Sequence, residues 1–233
     1  MLRAFSSGSI FGQSHGSEPV TTLWLHGWSR SSRDFEAAAE QLASRGHGSV
    51  ALDLPGFGST PAPQSAGGAR HYADLLAPVV GELATHGPLV LVGHSFGGRI
   101  SAVLAAEHPT LVRGVVFTGA PLVRRTSGSS TPPLAYRMVK ALAQRGLIGE
   151  QRLEAARRKY GSADYRAASG VMRDVLVASV NESYEVELAR ITQHCVMVWG
   201  TGDRDVPREV AQRAIDLMPS HPRLEMGEHC GHL

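Results

Sequence analysis

From Val20 onward, short apolar runs rich in β-branched residues alternate with longer stretches whose apolar positions recur at helical spacing. That alternation predicts a mostly parallel sheet flanked by helices. The first clear strand is Thr21 to Leu25, ending at His26-Gly27. A helix is expected from about Asp34, a residue suited to capping, to Arg45, with Gly46 as its stop. Val50 to Leu54 is the next strand, and it runs into the turn cluster Pro55-Gly56-Phe57-Gly58 and an exposed loop from Ser59 to Gly68. A helix over about Tyr72 to Thr85 follows. Pro88 then opens Leu89-Val90-Leu91-Val92, an unbroken apolar run of the kind a central strand needs when both its faces are covered. The next helix starts near Phe96, carries Ile100, Val103 and Leu104 at helical spacing and stops at His108-Pro109, before a strand from Val112 to Thr118.

After Gly119-Ala120-Pro121 the strand pattern lapses. Up to about Arg190 the chain is arginine-rich and mainly helical in pattern, entered through a Ser/Gly/Pro segment from Thr126 to Pro133. This reads as a helical cap over 121–190, inserted between two parts of one α/β core, 1–120 and 191–233. The strand pattern resumes at Cys195 to Trp199, with a helix from about Pro207 to Met218 and a short strand from Arg223 to Met226.

Composition narrows the function classes. A chain of 233 residues, 42% hydrophobic and 19% charged, is ordinary for a soluble globular protein and long enough for one sizeable core. The net charge of +2 comes from 23 basic and 21 acidic residues spread along the chain, so nothing points to nucleic acid. The local run from Arg152 to Lys159 is interleaved with Glu154 and follows Glu150, as on a solvated helix face. Two cysteines, Cys195 and Cys230, provide neither a disulfide framework nor a Cys-x-x-Cys pair, so no metal or cofactor is expected and a reducing cytoplasm fits. Met1 to Ile10 is Ser/Gly-rich and lacks the apolar core of a signal, and no run of eighteen apolar residues suggests a membrane span. Oligomeric state leaves no mark on the sequence.

The chemistry centres on Gly93-His94-Ser95-Phe96-Gly97, which matches Gly-x-Ser-x-Gly and lies between a buried strand and a helix, where that motif acts as a nucleophile elbow. The tight turn demands small neighbours, which Gly93, Gly97 and Gly98 supply. It also sets Ser95 at a helix N-terminus, where free backbone N–H groups favour developing negative charge. A serine hydroxyl is a weak nucleophile until a base takes its proton, so a histidine and an orienting carboxylate should follow in the chain. Asp203 lies in Gly200-Thr201-Gly202-Asp203-Arg204-Asp205, just past a predicted strand, with Asp205 as its near rival. His232 closes Glu228-His229-Cys230-Gly231-His232, with His229 as the other candidate base. His94 adjoins the nucleophile and is expected to pack beneath the turn. The remaining histidines lack a partner motif.

These motifs resemble those of the α/β-hydrolases, in the branch with a serine nucleophile and an inserted helical lid, and the resemblance runs along essentially the whole chain. His26-Gly27-Trp28 is similar to the family's oxyanion segment, Asp53-Leu54-Pro55-Gly56-Phe57-Gly58-Ser59 to its second-strand signature, and Gly93 to Gly98 to its elbow. The resemblance implies an oxyanion hole made by the backbone N–H groups of Trp28 and Phe96. It also implies Asp203 as the acid, His232 as the base because that histidine follows glycine, and a final helix after it that this sequence does not contain. His26, Gly27, His94 and Arg99 are the candidate substrate contacts.

Three function classes follow. A serine in the elbow, where dehalogenase-like and epoxide-hydrolase-like relatives carry aspartate, points to acyl transfer: two-step hydrolysis of a carboxylic ester or related acyl bond of a small molecule. Gly97-Gly98-Arg99 resembles the menaquinone-pathway lyases, in which a corresponding arginine grips a substrate carboxylate, so lyase or carbon–carbon bond hydrolysis on a carboxylated substrate is the alternative. A binding member without catalysis is the third. Apolar residues of the insertion, including Leu134, Tyr136, Met138, Leu142, Leu147 and Ile148, are expected either to line an acyl site or to pack the lid.

Overall fold

The computed structural model describes residues 1–124, 138–139, 141–143, 145–160 and 162–232. Eight strands form one sheet: β1 (Leu2–Phe5), β2 (Ile10–His15), β3 (Val20–Leu25), β4 (Gly48–Asp53), β5 (Leu89–His94), β6 (Val112–Thr118), β7 (His194–Gly200) and β8 (Arg223–Gly227). Their spatial order is β1-β2-β4-β3-β5-β6-β7-β8. From β4 to β8 neighbours are parallel, while β1 and β2 pair antiparallel with each other and β2 pairs antiparallel with β4. The strands before and after the helical region therefore belong to one mostly parallel sheet.

Side chains alternate across that sheet, as the period of a strand requires. Leu23, Leu25, Val50, Leu52, Leu89 and Leu91 face the larger core. Trp24, Ala51, Val90 and Val92 face the other side. On the first side pack α2 (Ala69–Leu83), α3 (Phe96–Glu107) and the later helix α8 (Arg208–Leu217), through residues such as Leu76, Leu104 and Val210. The second side carries α1 (Glu36–Ser44), whose Ala39 is fully buried there. Between β6 and β7 the helical region contains α4 (Glu150–Tyr160), α5 (Ala163–Ala167), α6 (Gly170–Asn181) and α7 (Glu185–Leu188). Among the described residues, no helix is long and apolar enough to cross a membrane.

Three local expectations needed correction. The β1–β2 hairpin is absent from the sequence reading because Ser6 to Ser9 breaks any alternation. Its strands are instead fixed by Phe5 and Ile10, which are buried, and by the close approach of Gly12 to the β4 backbone, where a Cβ would sit 2.8 Å from the Ala51 carbonyl oxygen. Asp34 does not cap α1: its carboxylate takes both Nε and Nη2 of Arg30, each at 2.7 Å, and α1 starts at Glu36 after a 3-10 turn. Helix α2 begins at Ala69 rather than Tyr72, because Glu182 accepts the Ala69 N–H at 2.7 Å from 113 positions away. A cap supplied by tertiary contact leaves no local signal. Thr126 to Pro133, Leu134 and Tyr136 lie outside the described residues.

Candidate active site

Ser95 stands between β5 and α3 with φ 49° and ψ −106°, a backbone region few non-glycine residues occupy. Its neighbours must be small for that turn to exist. A Cβ on Gly97 would overlap the Leu25 carbonyl group, and one on Gly93 would lie 2.6 Å from the Gly98 Cα. The turn is fastened by the Ser95 N–H donating to Thr118 O at 2.9 Å and the Gly97 N–H donating to His26 O at 3.0 Å. The N–H groups of Trp28 and Phe96 have no partner among the described residues; Phe96 directly follows Ser95, and Trp28 lines the same cavity as Ser95. The Trp28 ring packs edgewise on Phe57 and Phe96, at 5.1 and 5.7 Å between centroids.

The structure brings Asp203 and His232 to this serine. His232 Nδ1 is 2.8 Å from Asp203 Oδ2, and His232 Nε2 is 3.2 Å from Ser95 Oγ. An ionised carboxylate oxygen only accepts, so the imidazole proton lies on Nδ1 and Nε2 is left to accept from the serine hydroxyl. Asp203 is buried and is held by its other oxygen, which accepts the N–H groups of Asp205 and Val206 at 3.0 and 2.8 Å. The acid and histidine loops are laced together by Gly202 N–H to Cys230 O and by His229 N–H to Thr201 Oγ1. Of the rival candidates, Asp205 gives its main-chain N–H to Asp203 and His229 gives its own to Thr201, and neither makes a hydrogen bond to Ser95. Among the described residues Asp203, Asp205 and His232 are the one group with ligand atoms close enough for a metal, within 4.8 Å, but Asp203 and His232 are already bonded to each other.

Ser95 and His232 open on a cavity of about 820 Å³ whose wall includes Gly27, His94 and Arg99. His26 is not in that wall. It is fully buried, its Nε2 accepts the Leu54 N–H at 3.0 Å and its Nδ1 lies 2.7 Å from Gly27 O, so both nitrogens are spent on the backbone. Burial pushes its pKa below the ordinary histidine value, which keeps the ring neutral in this fastening role. The expectation that His26 touches substrate is corrected accordingly. Arg99 is largely buried at the start of α3, donates from Nη1 to Ser179 O at 2.7 Å, and has a buried Nε without a partner. Burial presses its pKa down.

Of the two roles open to the apolar residues of the insertion, lining the cavity is not the one the described positions take. Among the described ones, Met138 and Leu147 are exposed, and neither they nor Leu142 and Ile148 line the cavity. The cavity wall from the helical region is instead Asp164, Val180, Asn181 and Glu182, with Arg124 from the strand exit. Helical spacing marks which positions share a face but not what that face meets, so the sequence carried no signal for these.

A family model for the alpha/beta hydrolase fold matches residues 23–147, which is more than half of the chain. The chain belongs to the α/β-hydrolase fold family. It is 40% identical over 101 residues to 2-(acetamidomethylene)succinate hydrolase of Mesorhizobium japonicum, a match covering 43% of this chain and 35% of that protein. It is 26% identical to 2-hydroxy-6-oxononadienedioate/2-hydroxy-6-oxononatrienedioate hydrolase of Cupriavidus pinatubonensis, over 94% of this chain and 78% of the relative. Among solved structures, an esterase from Exiguobacterium antarcticum superposes with a TM-score of 0.74 at 20% identity, covering 100% of this chain and 92% of that one. The first of these relatives is thus spanned only over about a third of its length.

Proposed function

We propose that this α/β-hydrolase cleaves a carboxylic ester or related acyl bond of a small molecule through a covalent acyl-enzyme, with Ser95 as nucleophile, His232 as base and Asp203 as the orienting acid. The observation that carries the reading is the unbroken chain from Asp203 Oδ2 through His232 to Ser95 Oγ, at 2.8 and 3.2 Å. In this reaction Ser95 Oγ attacks the carbonyl carbon while its proton passes to His232 Nε2. The C=O pair moves onto oxygen, which the free N–H groups of Trp28 and Phe96 receive. His232 then returns the proton to the leaving oxygen as the C–O bond breaks, and water repeats the sequence to release the acid. The reading needs no metal or cofactor, and it assumes a small-molecule partner and a cytoplasmic setting.

The test is hydrolysis of p-nitrophenyl esters of increasing acyl length by the full chain and by Ser95→Ala. The substitution should lower kcat by about 10⁶, less where background hydrolysis masks the fall. Unchanged activity would remove Ser95 from the mechanism. An inert binding member would also fail to react with a serine-directed phosphonate, which separates that class from the enzyme reading.

A second reading is favoured by Arg99. Its guanidinium is in the cavity wall four residues after Ser95, largely buried, with no carboxylate in ion-pair range among the described residues. The Glu182 carboxylate in the same cavity wall attracts it without forming an ion pair, so the cost of burying this cation is only partly offset and a substrate carboxylate would relieve it further. The names of the Mesorhizobium and Cupriavidus relatives are those of hydrolases of dicarboxylated compounds. On this reading the substrate is carboxylated and the bond cleaved is an acyl or a carbon–carbon bond. A monoester of a dicarboxylic acid should then be preferred over the uncharged ester of equal length, and Arg99→Met should abolish the preference by raising KM for the charged ester alone.

A further inference from the structure

Two imidazoles, in contact with their planes tilted 49° to one another, lie between two glycines. A Cβ on Gly27 would fall 2.9 Å from Cδ2 of His94, the ring centroids of His94 and His232 are 4.9 Å apart, and a Cβ on Gly119 would fall 3.0 Å from His232 Nδ1. The order Gly27, His94, His232, Gly119 therefore runs from the segment that carries the Trp28 N–H to the end of β6. A side chain at either glycine would push the rings out of place. His94 is itself tethered: its Nδ1 lies 3.1 Å from Thr118 O and 3.0 Å from Thr118 Oγ1. A carbonyl oxygen can only accept, so Nδ1 carries the proton and Nε2 is a bare acceptor. That Nε2 is buried and has no partner. A buried acceptor left unpaired is a cost, so hydrogen bonding by Nε2 is not what this ring is kept for.

The backbone of the loop that carries His232 packs on the end of β7, where a Cβ on Gly200 would overlap the Cys230 and Gly231 carbonyl oxygens, but the loop is little buried. Glu228 to Gly231 are exposed, and the ties to the acid loop are the Gly202–Cys230 and Thr201–His229 hydrogen bonds. The His232 ring takes its place from the rigid strand ends on either side, through His94 at the end of β5 and Gly119 just past β6. We propose that His94 is a positioning residue for the reaction: its ring, tethered to Thr118, is the spacer that holds His232 where it joins Asp203 to Ser95. The proposal rests on the catalytic reading of Ser95, Asp203 and His232. His94 acts through His232 and touches no reacting atom.

The experiment compares the full chain with His94→Ala, His94→Phe, His94→Gln and Ser95→Ala, by kcat and KM on the best p-nitrophenyl ester and by the downfield ¹H NMR signal of the His232 Nδ1–H. Loss of the spacer in His94→Ala should lower kcat by about 100-fold, the scale of an ångström of misplacement, with KM unchanged. His94→Phe restores the ring and should recover most of kcat. His94→Gln keeps a donor for Thr118 without a ring and should not. The downfield signal should persist in Ser95→Ala, broaden away in His94→Ala and return in His94→Phe. The proposal is overturned if His94→Ala keeps both kcat and signal, if it loses only thermal stability, or, should it fail to fold, if the Gln and Phe variants have equal kcat. If Ser95→Ala stays active, the nucleophile assignment fails instead, and the NMR comparison still decides the role of His94.

Discussion

Replacing Asp203 by asparagine changes one atom and should silence the site. Oδ1 of Asp203 accepts two backbone N–H groups, from Asp205 and Val206, while Oδ2 faces His232 Nδ1. An asparagine has one oxygen to give, and turning its amide nitrogen toward the loop would set donor against two donors. Its oxygen therefore keeps the loop and its NH₂ group faces the imidazole. His232 must then accept at Nδ1 and carry its proton on Nε2, so that an N–H points at Ser95 Oγ, and the ring cannot take the hydroxyl proton. A wrong tautomer of this kind lowers kcat by about 10⁴, close to 5 kcal/mol of transition-state stabilisation. The assay is kcat and KM on the best ester together with the rate of phosphonate labelling and a denaturant melt. We expect a near-native melt, an unchanged KM and a collapsed kcat. Asp205→Asn, at an exposed carboxylate with no bond to the imidazole, should leave kcat near its native value. Retention of more than about a tenth of native kcat by Asp203→Asn would refute the tautomer argument, since that argument allows no partial effect.

Further outcomes concern stability. Asp53 is buried, and its two oxygens accept the N–H groups of Ser32 and Ser59, each at 2.8 Å. Burial alone would raise its pKa, but those N–H groups, with the Ser32 side chain and His26, outweigh it and the net shift is downward. Asp53→Ala strands both donors and should cost about 1–3 kcal/mol for each, read as a lower urea midpoint at unchanged slope. His94 should make the protein acid-sensitive: burial first, and the neighbouring His232 second, bring its pKa from 6.5 to about 4. Below pH 6.5 the unfolded chain binds this proton while the folded one does not, so stability falls as pH drops through that window and levels off below about 4. The full loss is on the order of 3 kcal/mol. Urea unfolding at pH 7 and pH 4.5 should show that slope flattened in His94→Gln, and an unchanged slope would remove His94 as its source.

The sequence determined the local machinery. Unbroken apolar runs located the central strands, and the glycines around Ser95 announced a turn that only small residues can make, because both signals are written in neighbouring positions of the chain. Asp203 and His232 could be nominated by their places after strands. That His232 comes within 2.8 Å of Asp203 and 3.2 Å of Ser95, and that Asp205 and His229 do not take those places, was decided by the packing of segments 29 and 137 residues apart. Tertiary structure alone also decided that His26 faces the backbone, that Glu182 caps a helix 113 residues earlier, and that the cavity roof is Val180 and Asn181 in place of the apolar residues around Leu147. The physical reason is the same in each case. Periodicity and turn chemistry are local free energies, legible residue by residue, whereas a buried hydrogen bond or a cavity wall exists only between segments that the chain has brought together, and its partner's identity is not encoded at either end.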